Sequence, residues 1–272
     1  MKKIMLLIFL IPFFRLAQGQ GLQNTPDHQW TIGLGYQNAK TFDRNISPLI
    51  YSSNNGVLST SFLKNKLETQ WTLGLTLSAG SNQSKRHGKR TAVIRDPDPL
   101  FGESEETIYE INPALSYVDL ELSYGFQWKL DNSFVGFEVY DRLLYGALGA
   151  DTWFFNQLSV APSYRRTVYS NGPVELTIEG SLPVFSYLLR QPYTLDPSLP
   201  EESYFKAYLS TGSSVATINQ FQQVNLGSTL TYELKNGKNL GVSWQFMWMN
   251  YNNIPDRQLR SYSNSIIISY QL

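Results

Sequence analysis

The sequence predicts an all-β fold, a transmembrane antiparallel up-and-down β-barrel of about ten strands, and three observations carry that prediction. The first is the stretch 116–130, SYVDLELSYGFQWKL, in which Val118, Leu120, Leu122, Tyr124, Phe126, Trp128 and Leu130 alternate with Asp119, Glu121, Ser123, Gly125, Gln127 and Lys129. A period of two puts each set on its own face of a strand, and the run is roughly twice the ~5–6 residues usual for strands of soluble domains. The second is composition, 14% aromatic and 42% hydrophobic, since tyrosine and tryptophan girdles mark the two bilayer interfaces of a barrel. The third is that no stretch after the first 19 residues has helical three-and-four spacing or the ~20 apolar residues of a spanning helix.

Lys2 and Lys3, the apolar run from Ile4 to Phe14 and the small-x-small site Ala17-Gln18-Gly19 form a secretory signal peptide with cleavage expected after Gly19. Residues 1–19 are therefore read as a signal peptide and 20–272 as a single barrel domain. Loss of Lys2, Lys3 and Arg15 leaves 19 basic against 22 acidic residues, a mature charge of −3, which argues against nucleic acid as a partner. The chain has no cysteine, so disulfides, thiolate nucleophiles, cysteine metal sites and a lipoprotein anchor are excluded. No metal or other cofactor is expected.

Strand one is read over residues 29–37, with Trp30, Ile32, Leu34 and Tyr36 outward, followed by a polar loop over 38–55. Strand two, 56–63, is marked by Leu58 and Phe62. A tight turn at Lys64-Asn65-Lys66 leads to strand three, 67–78, where Leu67, Trp71, Leu73, Leu75 and Leu77 share a face. Residues 79–115 read as a long loop from their Gly, Pro and Ser content. After strand four, 116–130, Asp131-Asn132-Ser133 turns into strand five, 134–145, in which Asp141 breaks the apolar phase and predicts a bulge or the membrane boundary. A brief loop through Trp153 to Phe155 precedes strand six, 157–169, and Ser170-Asn171-Gly172-Pro173 is a turn by composition. Strand seven spans 174–188, and Pro162 and Pro183 are each expected at a bulge or strand end. A second long loop, 189–219, precedes strand eight, 222–234. The Asn236-Gly237 turn joins it to strand nine, 239–250, and strand ten runs from 261 to 272. Short turns alternate with long loops, which predicts periplasmic turns, extracellular loops and both termini on the periplasmic side.

With its signal sequence, alternating strands, aromatic positions and the final strand SIIISYQL ending in Tyr270 and Leu272, the chain resembles the outer-membrane β-barrel proteins of Gram-negative bacteria over its whole mature length. The resemblance implies residence in the cell outer membrane, contact with outer-membrane lipid and lipopolysaccharide, and the barrel-assembly machinery as a partner during biogenesis. It implies no single family.

Candidate sites follow from the predicted phase. Asp119, Glu121, Glu138, Arg142, Arg165, Glu175 and Glu179 face the lumen, joined by Glu68, Lys129 and Glu233. A narrow barrel has little room beyond its own side chains, so Arg142 and Arg165 are expected to neutralise carboxylates in a plug-like network. A narrow cation-preferring pore or a transport-associated barrel is the alternative. The loop cluster Lys85, Arg86, His87, Lys89 and Arg90 could meet lipopolysaccharide phosphates through charge-assisted hydrogen bonds, against the plainer reading of solvated loop charge. A phospholipase would need His and Ser together on a strand, yet the two histidines, His28 and His87, lie off the predicted strands. An omptin-type rim protease would use an acidic pair and an Asp–His pair. Asp96 and Asp98 offer only the first, each before a proline. No catalytic residue is assigned, and the expected role is non-enzymatic: structural, adhesive or accessory interaction through the outer loops.

Overall fold

The computed structural model describes residues 28–45, 49–84, 90–97, 104–111, 115–148, 151–190, 212–252 and 258–272. Its strands are β1 (His28–Asp43), β2 (Ile50–Asn65), β3 (Thr69–Ser84), β4 (Arg90–Pro97), β5 (Ser104–Ile111), β6 (Leu115–Leu130), β7 (Ser133–Leu148), β8 (Asp151–Asn171), β9 (Val174–Ser181), β10 (Phe185–Arg190), β11 (Ser213–Thr217), β12 (Phe221–Glu233), β13 (Asn239–Tyr251) and β14 (Leu259–Gln271). Each strand of the main sheet pairs antiparallel with its neighbours, and β1 meets β14 from Thr31↔Gln271 to Asp43↔Leu259. β9 continues into β10, and β11 into β12, so that β8 closes the ring against β9 and β9 against β12. Counted this way the barrel has ten strands. β4 and β5 form a separate two-stranded hairpin between β3 and β6.

The interruption between β9 and β10 has a sequence cause. Pro162 lies within β8, paired with Phe137 of β7, and its carbonyl accepts from the Leu182 amide at 3.3 Å across the other edge. In an antiparallel strand the amide and carbonyl of one residue point the same way, so the donor that proline lacks is missing on the side where residues 182–184 leave the ladder. Pro183 sits in that break, as expected. Pro162 does not: β8 carries no bulge of its own there, and its irregularity falls at Thr167/Tyr169.

Outward faces carry the apolar alternation. Leu34 is 66% and Ile268 59% exposed, values that fit a lipid-facing wall and no protein core. Near the short turns the aromatics touch in sequence around the wall, Trp30 against Phe62 at 4.9 Å, Trp71 against Phe126 at 4.5 Å and Phe126 against Trp128 at 4.7 Å, forming the girdle expected at the periplasmic interface. The turns there are tight: Asp131 adopts φ 51°, Gly172 57° and Gly237 75°.

Most strands run well past their predicted outer ends. Residues 38–43, 50–55, 79–84, 153–155 and 189–190 were expected in loops and are strand. Beyond Tyr36 the outward positions become Asn38 and Lys40, and beyond Leu77 they become Ala79 and Ser81. This is the polarity of strands that extend beyond a bilayer, and with it the alternation that marks a spanning strand disappears. Inside, polarity changes the other way. Tyr51, Tyr117, Leu144, Trp153, Phe155, Leu188, Ala216, Phe221, Met247, Met249, Tyr251 and Leu259 form one buried apolar cluster in the outer part of the lumen. Asp141 breaks the apolar phase without a bulge: its pairing with Leu122 and Leu158 is regular, and it points outward, where Asn156 donates to it at 2.5 Å.

Candidate functional site

Among the described residues charged side chains converge in the lumen, and it is crossed at three levels. At the outer level Asp43, the last residue of β1, is completely buried. The Nε1 of Trp153 on β8 donates to its Oδ2 at 2.9 Å, and the Arg190 guanidinium at the end of β10 forms an ion pair with both carboxylate oxygens. Around the ring β1 and β8 stand five strands apart, on opposite walls. The apolar cluster surrounds this contact, with Arg190 also lying 6.0 Å from the Tyr251 ring. Side chains therefore fill the lumen from wall to wall at this level.

In the middle, Arg142 of β7 grips Asp119 of β6 with two hydrogen bonds, Nε to Oδ1 at 2.8 Å and an amino nitrogen to Oδ2 at 2.5 Å, and reaches Glu121 at 4.0 Å. Gln37 of β1 donates across the lumen to Asp119 at 3.3 Å and accepts from Asn55 at 2.8 Å. The fork geometry satisfies both carboxylate oxygens of a pair that is only 5% exposed on each side, the condition under which a buried ion pair is tolerated. Beside it Gln157 of β8 donates to Gln223 of β12 at 2.7 Å and to Tyr140 at 3.2 Å.

Nearest the periplasm, Arg165 of β8 pairs with Glu179 of β9 at 3.0 Å and donates to Gln70 of β3 at 3.0 Å. This level is wetter, with Arg165 27% and Glu179 37% exposed. Glu138 faces the same space within electrostatic reach of Glu121, Glu179 and Arg165. Glu175 stands apart, exposed at the periplasmic mouth, where the hydroxyls of Thr167 and Thr177 donate to it at 3.2 and 3.1 Å. It is not a member of the crossing network. Glu68 precedes β3 in an exposed turn, and Glu233 ends β12 exposed.

The structure thus brings together Asp119, Glu121 and Arg142, and separately Arg165, Glu179 and Glu138. Of the basic cluster, Lys85, Arg86, His87 and Lys89 lie outside the described residues, and Arg90 opens β4, where only the backbone pairing is described. Asp43, Trp153 and Arg190 were missed because all three were assigned to loops. The signal that could have found the first of them is the inward phase of strand one, Gln29, Thr31, Gly33, Gly35, Gln37, Ala39, Thr41 and Asp43, which runs without interruption to the buried carboxylate. Among the described residues no group of three His, Cys, Asp or Glu side chains could hold a metal ion.

Comparison with solved structures fixes the class of the wall that holds this network. The outer membrane protease OmpT from Escherichia coli superposes with a TM-score of 0.55 at 10% identity, over 93% of this chain and 98% of that one. The fold is that of a Gram-negative outer-membrane β-barrel. Within this class the chain also aligns, more distantly, with the translocator domain of the autotransporter NalP from Neisseria meningitidis, at a TM-score of 0.39 and 8% identity over 91% and 89% of the two chains. The β domain of the Bordetella autotransporter BrkA gives 0.41 and 12% over 89% and 98%. No protein-family model and no curated protein matches the sequence. An identity near one residue in ten carries the fold and no residue roles, so the function of this outer-membrane barrel has to be argued from its own side chains.

Proposed function

We propose that the protein is a non-enzymatic, non-conducting barrel that serves as a surface platform, with a structural, adhesive or accessory interaction role exercised by its outer loops. The observation that carries this reading is the hydrogen bond from Trp153 to Asp43 between opposite walls, embedded in an apolar cluster. A water-filled pore would require the most buried part of the lumen to be hydrated, and here it is occupied by tryptophan, phenylalanine, leucine and methionine. Below it two ion pairs join adjacent strands, and the hydrogen bonds from Gln37 to Asp119 and from Arg165 to Gln70 tie non-adjacent strands to them, which stiffens the barrel as a support. The β4–β5 hairpin, which follows β3 and precedes β6 in the chain, offers a preformed recognition element.

OmpT is a protease, and likeness of fold makes hydrolysis at the rim the competing reading. Among the described residues nothing favours it: His28 begins β1 at the periplasmic end, stacked 5.8 Å from Phe62, and Asp96 lies opposite Glu105 within the β4–β5 hairpin. The test is to replace residues 85–114 by a short Asn-Gly turn. Adhesion of the displaying cells and the envelope proteins recovered with the barrel after cross-linking are then compared. Loss of either with retained heat-modifiable migration is the expected result. Unchanged adhesion and unchanged partners, or cleavage of peptide substrates that disappears on His87→Ala, would overturn it.

A further inference from the structure

Below the apolar cluster, the inner half of the lumen carries more carboxylates than cations. Among the described residues Asp119, Glu121, Glu138 and Glu179 point into it against Arg142 and Arg165, four acids to two bases. The register arranges three of the acids as a descending series. Glu121 stands opposite Arg142, Glu138 opposite Gly125 and Ala161, and Glu179 opposite Arg165. Gly125 is four residues from Glu121, and Ala161 four from Arg165, so each step covers roughly 13 Å along the strands. Both ends of the series therefore face an arginine. The middle does not, and among the described residues Glu138 forms no ion pair.

Gln127 is a second, independent signal. It points inward on β6 opposite Gly136, which has no side chain, and so lies on the diagonal next to Glu138. Gln127 is only 8% exposed and donates to Ser163 at 3.0 Å, while its Oε1 has no hydrogen-bond partner among the described residues. A buried carbonyl oxygen without a donor, beside a carboxylate without a cation, calls for one positive group rich in N–H donors. There is space for it. On β13, five strands round the ring from β6, Gln245 points inward and is exposed, and the inward residues Gly33, Gly35, Ser59, Thr76 and Ser265 keep the intervening wall thin. The side chains of Glu121 and Glu179 are 35% and 37% exposed, so solvent reaches both ends of the series.

We propose that this half of the lumen is a chamber, closed on the outer side and entered from the periplasm, that binds an aliphatic polyamine. One ammonium group is held by Glu138 and Gln127, and the others by Glu121 and Glu179. A compact metal ion fits less well, because among the described residues no three acidic side chains converge on one point. A flexible chain with spaced ammonium groups meets carboxylates set in a row. Glu175 and Glu233, exposed at the mouth, add the negative potential that concentrates such a cation at the entrance. The inference rests on the lumen side chains and does not depend on what the outer loops bind.

The experiment refolds the intact mature barrel in detergent at low ionic strength and titrates it calorimetrically with spermidine and, separately, with magnesium ion. One spermidine per barrel is expected, with the dissociation constant raised about tenfold or more in Glu138→Gln and much less in Glu175→Gln. Spermidine should also raise the urea midpoint of the wild type, because it binds the folded state, and leave that of Glu138→Gln nearly unchanged. Folding is checked by heat-modifiable migration, and Glu121→Gln, which should weaken binding as well, serves if Glu138→Gln does not fold. Equal affinity of wild type and Glu138→Gln for spermidine overturns the proposal. An equal loss in Glu175→Gln overturns it too, as does magnesium bound as tightly as spermidine and lost in the same variant.

Discussion

Trp153 and Asp43 are joined by a 2.9 Å hydrogen bond although their strands, β8 and β1, stand on opposite sides of a ten-stranded ring. Arg190 neutralises the same carboxylate. Removing the acid strands a buried guanidinium, so Asp43→Ala is expected to cost roughly 3–5 kcal/mol, read as a fall in the urea midpoint for unfolding from detergent. Trp153→Phe, which deletes the donor together with part of the buried ring, should cost about 1–3 kcal/mol. A pair of apolar replacements, Asp43→Leu with Arg190→Met, is expected to recover most of the Asp43→Ala loss, because the ion pair is offset largely by its own desolvation.

The two deeper ion pairs should behave differently from one another. Asp119 and Arg142 are 5% exposed and doubly hydrogen-bonded, and Arg142→Met is expected to destabilise by about 3–5 kcal/mol. Arg165 and Glu179 are 27% and 37% exposed, and Arg165→Gln should change stability by about 0–1 kcal/mol. Comparable losses in a common unfolding assay would show that the periplasmic level is drier than its exposure implies.

The lipid face is tested by depth. Ile268 is outward in the apolar belt on β14, flanked by Leu34 and Val242, whereas Asn54 is outward above the belt on β2. Ile268→Arg should raise the free energy of folding into vesicles by about 2–4 kcal/mol and Asn54→Arg by about 0–1 kcal/mol. Equal penalties would displace the proposed membrane boundary.

Close backbone approach is required at Gly136, where a Cβ would lie 1.9 Å from the Phe126 carbonyl oxygen. At Gly125 the nearest atom would be the Thr72 Cβ at 3.6 Å, an ordinary contact. Gly136→Ala is expected to cost about 1–3 kcal/mol and Gly125→Ala close to nothing, measured side by side by refolding yield and unfolding midpoint.

What could be read from the sequence divides along the membrane boundary. Within the bilayer lipid demands apolar residues at every second position, so β6 was legible to its last residue and β7 and β13 nearly so. The inward phase followed automatically, which put Arg142 and Arg165 in the lumen as counter-ions for its carboxylates; which acid each one meets, Asp119 and Glu179, is set by the register. Above the bilayer that constraint disappears: Asn38, Asn54 and Asn156 face out, Trp153, Phe155 and Leu144 face in, and the pattern resembles a polar loop carrying scattered apolar residues. The Asp43–Trp153–Arg190 contact lies entirely in that zone. Its partners are 110 and 147 residues from Asp43, so only the closure of the ring brings them together. Pro162 was misjudged for a related reason, because its missing donor is accommodated in the neighbouring strand.

The central claim, that inward side chains close the lumen at the level of Asp43, is tested most directly by single-channel recording of the refolded protein in planar lipid bilayers. Wild-type barrels should insert without reproducible conductance steps, and Asp43→Ala combined with Trp153→Ala and Phe155→Ala, which empties the constriction, should produce them. Stepwise conductance from the wild-type protein, unchanged by those three substitutions, would contradict the account.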